Sequence, residues 1–128
     1  MEEKIKLKTI LLVEDDVALN RAITLKLKQN RHHVISVMRA EDALNVLKAE
    51  HTTIDIIWLD ILLPGMNGIE FLQELRNHKE YKDLKVVICS VSGGAEVKKI
   101  GFELGAVDYL VKSDYDLNKL IEKIVSYA

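Results

Sequence analysis

Five short runs rich in β-branched and other apolar residues recur along the chain, each separated from the next by a stretch with helical spacing. The runs are Thr9–Val13, Val34–Val37, Ile54–Leu59, Val86–Cys89 and Tyr109–Val111. In the first intervening stretch, Val17, Leu19, Ile23, Leu25 and Leu27 supply apolar positions, and Asn20, Arg21, Lys26 and Lys28 read as the solvated side. Later stretches carry Ala43, Leu44 and Leu47, then Ile69, Phe71, Leu72 and Leu75, then Val97, Ile100 and Leu104, and finally Leu117, Leu120, Ile121, Ile124 and Val125. Strict alternation of strand and helix predicts an α/β domain, a doubly wound five-stranded parallel sheet flanked by five helices. Ile56-Ile57-Trp58-Leu59 is almost continuously apolar, as a strand covered on both faces must be. The 128 residues fit a single domain, and a 48% hydrophobic content is enough to build its core without disulfides.

Charge narrows the function classes. Eighteen basic and twenty acidic residues are interspersed, so there is no basic stripe of the kind a nucleic-acid binder presents. The apolar runs are strand-sized, far below the ~20 residues that span a bilayer. The start, Met1-Glu2-Glu3-Lys4, is charged and lacks a signal-peptide pattern, which predicts a cytoplasmic protein. Cys89 lies in the run Val86-Val87-Ile88-Cys89 and reads as an inert buried thiol. Trp58 and Phe71 read as core, and His32, His33, His51 and His78 as surface residues rather than metal ligands.

In a parallel sheet of this kind, ligand groups gather beyond the carboxyl ends of the strands. Those ends carry Glu14-Asp15-Asp16, Asp60, Ser90 and Lys112, whereas Met38 and Arg39 after the second run offer nothing distinctive. Two carboxylates about 5 Å apart at an effective dielectric of about 20 repel by roughly 3 kcal/mol, so the cluster calls for a cation. Hard oxygen donors in a partly hydrated site suit magnesium. Asp16 is equally well explained as the N-cap of the first helix. An aspartate at a strand end, screened by a metal and an ammonium, is equipped to attack phosphorus, and Ser90 is small enough to reach a phosphoryl oxygen.

These stretches resemble the receiver domain of two-component response regulators. The resemblance runs through Ile10-Leu11-Leu12-Val13-Glu14-Asp15-Asp16, Leu59-Asp60-Ile61-Leu62-Leu63-Pro64-Gly65-Met66-Asn67-Gly68, Val87-Ile88-Cys89-Ser90 and Gly105-Ala106-Val107-Asp108-Tyr109-Leu110-Val111-Lys112. It implies one receiver domain over residues 1–128, with a flavodoxin-like strand order 2-1-3-4-5. It further implies that Asp60 is phosphorylated, and that Mg2+, or Mn2+ in its place, is held by Asp15, Asp60 and the backbone carbonyl of Leu62, with Glu14 acting through water. Lys112 pairs with the phosphoryl group or, before transfer, with Asp60. Ser90 and Tyr109 form the switch, Tyr109 rotating inward so that the face of the fourth helix, fifth strand and fifth helix is read by an effector. The phosphoryl donor is a histidine kinase or histidine phosphotransfer protein, and the chain is a phosphoacceptor rather than a conventional enzyme. It is expected to be a monomer or a phosphorylation-dependent dimer, and either a stand-alone regulator or a receiver cut from a longer protein.

Three positions depart from that pattern. Ser113 follows Lys112 where the family has a proline, so a trans Lys112–Ser113 bond and a different support for the lysine are expected. Val91 and Leu62 are expected to border the phosphoryl group and slow its hydrolysis. The first helix lacks a terminal glycine, and Asn30 is the expected left-handed residue. Pro64-Gly65-Met66-Asn67-Gly68 reads as a turn opening the third helix, with no chemistry assigned. Rival readings fit less well. A flavin or nucleotide binder would place Gly, Ser or Thr after the first strand, and a haloacid-dehalogenase-type phosphatase needs an aspartate where Leu62 stands. A receiver-shaped interaction module without phosphorylation is the remaining alternative.

Overall fold

The computed structural model describes residues 6–91 and 94–128. Five parallel strands lie in the order β2-β1-β3-β4-β5: β1 Thr9–Val13, β2 His33–Val37, β3 Ile56–Leu59, β4 Val86–Ser90 and β5 Asp108–Val111. The helices are α1 Val17–Gln29, α2 Ala40–Glu50, α3 Gly68–Asn77, α4 Ala95–Glu103 and α5 Leu117–Tyr127, with short 3₁₀ turns at His51–Thr53 and Lys112–Asp114. This is the predicted doubly wound, flavodoxin-like sheet.

The two-residue period of the strands divides the core in two. Leu11, Val13, Ile57, Leu59, Val86, Ile88 and Tyr109 face α2, α3 and α4, and Ile10, Leu12, Ile56, Trp58, Val87, Cys89 and Leu110 face α1 and α5. Trp58 and Phe71 are core residues, as expected. Burial pushes the Cys89 thiol up to about 12, which keeps it protonated and unreactive.

Helix α1 departs from the predicted face. Its buried positions are Asn20, Ile23 and Leu27, spaced three and four apart, while Val17 and Leu25 are exposed. Apolar residue type misled here, because helical spacing selects Asn20 over its apolar neighbours. Asn20 earns that place through hydrogen bonds: its Nδ2 donates to the Glu14 and Val37 carbonyls at 3.0 and 3.4 Å, and its Oδ1 accepts from Ser36 and Thr24 at 3.0 and 3.3 Å.

The end of α1 also differs from expectation. Arg31, with φ at 69°, takes the left-handed position, and Asn30 has φ at −82°. The His32 N–H reaches the Leu27 carbonyl at 3.0 Å and the Arg31 N–H reaches that of Lys28 at 2.9 Å, which is the Schellman pairing. Burial of Leu27 sets the last helical turn, and the reversal therefore falls on Arg31 despite the side-chain strain. The same reversal brings His32 inward. His32 is 7% exposed, and its Nδ1 accepts the Lys8 N–H at 3.0 Å, so it is not the surface residue expected. His51 opens a 3₁₀ turn and bonds the Leu47 carbonyl through Nδ1 at 3.0 Å, while His78 caps α3; both pack on the buried Tyr81 ring.

Helix α3 begins with a capping box in which Asn67 and Glu70 exchange side-chain and backbone hydrogen bonds. Its first residue presses against the end of β3. A Cβ on Gly68 would lie 2.4 Å from the Asp60 carbonyl oxygen and 2.7 Å from the Ile61 Cα.

Two outcomes follow. Gly68→Ala must push backbone apart and should cost about 1–3 kcal/mol in urea unfolding; an unchanged midpoint contradicts the contact. Burial, with the Lys8 charge, depresses the His32 pKa from 6.5, so the folded state favours neutral imidazole. The unfolded chain then binds the proton more readily, and stability present above pH 6.5 is lost as pH falls below it. His32→Asn should flatten that loss; equal slopes for both proteins would refute it.

Candidate functional site

Register explains why the acids meet. Val13 of β1 is paired with Leu59 of β3, so Glu14 and Asp60 leave neighbouring strands at the same level, and the Asp60 N–H donates to the Val13 carbonyl at 3.0 Å. The strand order reverses between β1 and β3, which is where a doubly wound sheet opens its crevice. Glu14 is fully buried and Asp60 is 5% exposed, while Asp15 lies at the surface beside them. One carboxylate oxygen from each of Glu14, Asp15 and Asp60 comes within 4.8 Å of the others. Asp16 takes no part and caps α1, accepting the Leu19 N–H at 3.1 Å.

Lys112 reaches this cluster from the end of β5. Its Nζ pairs closely with Glu14 Oε1 and lies 3.5 Å from Asp60 Oδ2. The expected partner was Asp60; the structure makes Glu14 the nearer one. The other Glu14 oxygen accepts the Asp16 N–H at 3.2 Å, so both oxygens are engaged. Burial raises the Glu14 pKa against the opposing hydrogen bond from Lys112. Burial disfavours the Lys112 ammonium, but the bond to Glu14 and the charges of Asp60 and Glu14 overcome this and raise its pKa. Lys112 is therefore a fixed cation. Among the described residues every peptide bond is trans, including Lys112–Ser113, and the chain runs on from Lys112 into a 3₁₀ turn over Lys112–Asp114.

The remaining predicted residues divide. Ser90 ends β4 and is buried, and the Tyr109 ring is only 6% exposed. Burial raises the Tyr109 pKa, opposed by a hydrogen bond with Ser90 and reinforced by the Asp60 charge. Tyr109 is therefore buried, with its hydroxyl toward Ser90. The Leu62 N–H lies 3.3 Å from Asp60 Oδ1, which sets the first residues of the β3–α3 loop against the acid. The Leu62 and Val91 side chains are 58% and 63% exposed, so neither shields Asp60 by burial, and the expectation of slow hydrolysis loses that support. Sequence reasoning missed Asn20, whose amide holds the Glu14 carbonyl; its signal was a polar residue three and seven positions before Ile23 and Leu27 on one helical stripe.

A family model for the response regulator receiver domain matches residues 10–125. The chain belongs to the response regulator receiver family. This receiver is 33% identical over 103 residues to the phosphate regulon transcriptional regulatory protein PhoB of Escherichia coli, an alignment covering 80% of this chain and 44% of PhoB. The chain spans about half the length of the curated relatives it matches. Among solved structures, it is similar to a CheY-like receiver domain protein from Methanospirillum hungatei, with a TM-score of 0.83, 26% identity, and 94% and 93% of the two chains covered. It is also similar to the Mn2+-bound form of response regulator Rcp1, with a TM-score of 0.81, 30% identity, and 94% and 93% covered. No helix among the described residues is long and apolar enough to cross a membrane.

The receiver's acids outnumber its ammonium. Asp60→Asn should leave a balanced Glu14–Lys112 pair and, with divalent ions chelated, raise stability by about 1 kcal/mol, or about 3–6 °C in melting temperature. A lower melting temperature would show that Asp60 is a net stabilising partner of Lys112.

Proposed function

We propose that this receiver accepts a phosphoryl group on Asp60 from a phosphohistidine of a histidine kinase or histidine phosphotransfer protein, in a reaction that requires Mg2+. The observation that carries this reading is the pairing of one fixed ammonium, Lys112, with two buried carboxylates while a third carboxylate, Asp15, stands at their mouth. Asp15 and Asp60 suit direct coordination of a hard cation, because their oxygens are near one another and Lys112 leaves them less occupied than Glu14. Glu14, with both oxygens engaged, suits contact through water. The Leu62 carbonyl is the proposed backbone ligand. The Mn2+-bound form of Rcp1 supports a divalent ion here and Mn2+ as a substitute.

The ion, when bound, withdraws charge from phosphoryl oxygens and relieves the repulsion among the three acids. Asp60 Oδ then attacks phosphorus in line, forming an Asp60–phosphoryl bond as the phosphorus–nitrogen bond to imidazole breaks. The imidazole leaves with the bonding electron pair and takes a proton from solvent. Lys112 stabilises charge on the transferred group, and Ser90 offers a hydroxyl to one of its oxygens. Asp60 is consumed once per transfer, so the domain is a phosphoacceptor rather than an enzyme. New contacts at Ser90 bias Tyr109 and the face of α4, β5 and α5, which a downstream effector reads. A cytoplasmic setting for the transfer is part of the same proposal.

Incubation with acetyl phosphate and Mg2+, followed by intact mass spectrometry, should add one phosphoryl group to the wild type and none to Asp60→Asn. Chelation should abolish the addition, and Mn2+ should restore it. A wild type that stays unmodified under these conditions would favour a receiver-shaped interaction module.

A further inference from the structure

Arg39 and Glu41, beside the start of α2, lie against the β3–α3 loop, the segment between Asp60 and α3 that carries Leu62. That loop is tied internally. The Leu63 and Gly68 N–H groups both reach the Ile61 carbonyl, at 3.1 and 2.9 Å, and Ile61 and Leu63 pack into the core. Its one hydrogen bond to an element other than the two it joins, among the described residues, is from the Met66 N–H to Glu41 Oε2 at 3.3 Å. The same oxygen takes Arg39 Nη2 at 3.4 Å. Gly65 has φ at 70°, and a Cβ there would stand 2.6 Å from Glu41 Oε2 and 2.9 Å from Arg39 Nη2, so the loop backbone passes directly against this pair. Glu41 Oε1 is covered and meets no donor among the described residues. The Glu41 side chain is 43% exposed, so its bonds to Met66 and Arg39 are what keep it against the loop. The carboxylate is held in place by what Oε2 does.

We propose that Glu41 is a positioning residue for the divalent-ion site: by fixing Met66 it sets the loop that presents the Leu62 carbonyl, and so sets the affinity for Mg2+. This rests on the proposed function. Glu41 does not touch the ion or the phosphoryl group; it acts through the backbone of the loop. Its own N–H first, and then the Met66 N–H, lower the Glu41 pKa, which keeps the acceptor charged.

The test compares wild type with Glu41→Gln, whose amide oxygen still accepts the Met66 N–H, and Glu41→Met, which accepts nothing. Mg2+ affinity is read by calorimetry and the Met66 amide by its NMR shift. Glu41→Met should weaken Mg2+ binding about three- to tenfold and move the Met66 amide, whereas Glu41→Gln should stay within about twofold. At saturating Mg2+, the rate of Asp60 phosphorylation by acetyl phosphate should return to near wild type in both variants. Wild-type Mg2+ affinity in Glu41→Met, or equal weakening in Glu41→Gln, would overturn the inference alone. No Mg2+ binding by the wild type would overturn the proposed function and this inference with it.

Discussion

One ammonium is shared between two carboxylates that the sheet withdraws from water. Glu14 is fully buried, Asp60 nearly so, and Lys112 Nζ is within salt-bridge distance of both. Buried charges are tolerated only when paired and hydrogen-bonded, and removing one partner leaves an uncompensated ion that is strongly destabilising. Here the pairing is incomplete by design of the backbone: two negative charges meet one positive charge, and Asp15 adds a third acid at the surface. On the proposed function, that excess of negative charge is what a divalent cation would neutralise. A fully neutralised cluster would be more stable and less useful.

That imbalance comes from register rather than from side-chain choice alone. Val13 opposite Leu59 fixes Glu14 beside Asp60, and Ser90 opposite Val111 brings the base of Lys112 to the edge of the same crevice. A slip of one residue between β1 and β3 would reverse the facing of every side chain in the central strands, so the apolar pattern that builds both cores also enforces the acid pair. Asn20 extends the same logic to β2, since its amide joins the Glu14 carbonyl to the Val37 carbonyl, which also takes the Glu14 N–H at 3.1 Å. Stability of the core and assembly of the site are therefore consequences of one register.

The strands, the helices and the acidic cluster were legible in the sequence because apolar periodicity and the order of strand ends are local signals. The features that were not legible depend on which of several local options tertiary packing selects. Asn20 was read as solvated because residue type was weighed above spacing, and burial of Ile23 and Leu27 placed it inside. Asn30 was preferred to Arg31 on intrinsic tolerance of the left-handed region, yet the last turn of α1 is set by Leu27. His32 became buried as a consequence of that turn. The partnership of Lys112 with Glu14 needed distances, since both acids lie at strand ends and the sequence does not rank them.

The seating of the helices bears on where a signal would emerge. Helices α3 and α5 bury three or more residues each, whereas Gly101 is the one buried residue of α4, and among the described residues no side chain caps its start. Gly101 lies against Ile88 and Tyr109, and Lys98 Nζ sits 5.8 Å from the Tyr109 ring centre. Helix α4 therefore rests in part on a tyrosine whose hydroxyl end is tied to Ser90, one strand away from Asp60. Displacing a weakly seated helix disturbs less apolar packing than displacing α3 or α5, because the free energy at stake scales with the apolar area that must be exposed. On the proposed function, charge added at Asp60 acts first on Ser90 and Tyr109, and α4 is the element that yields at least cost.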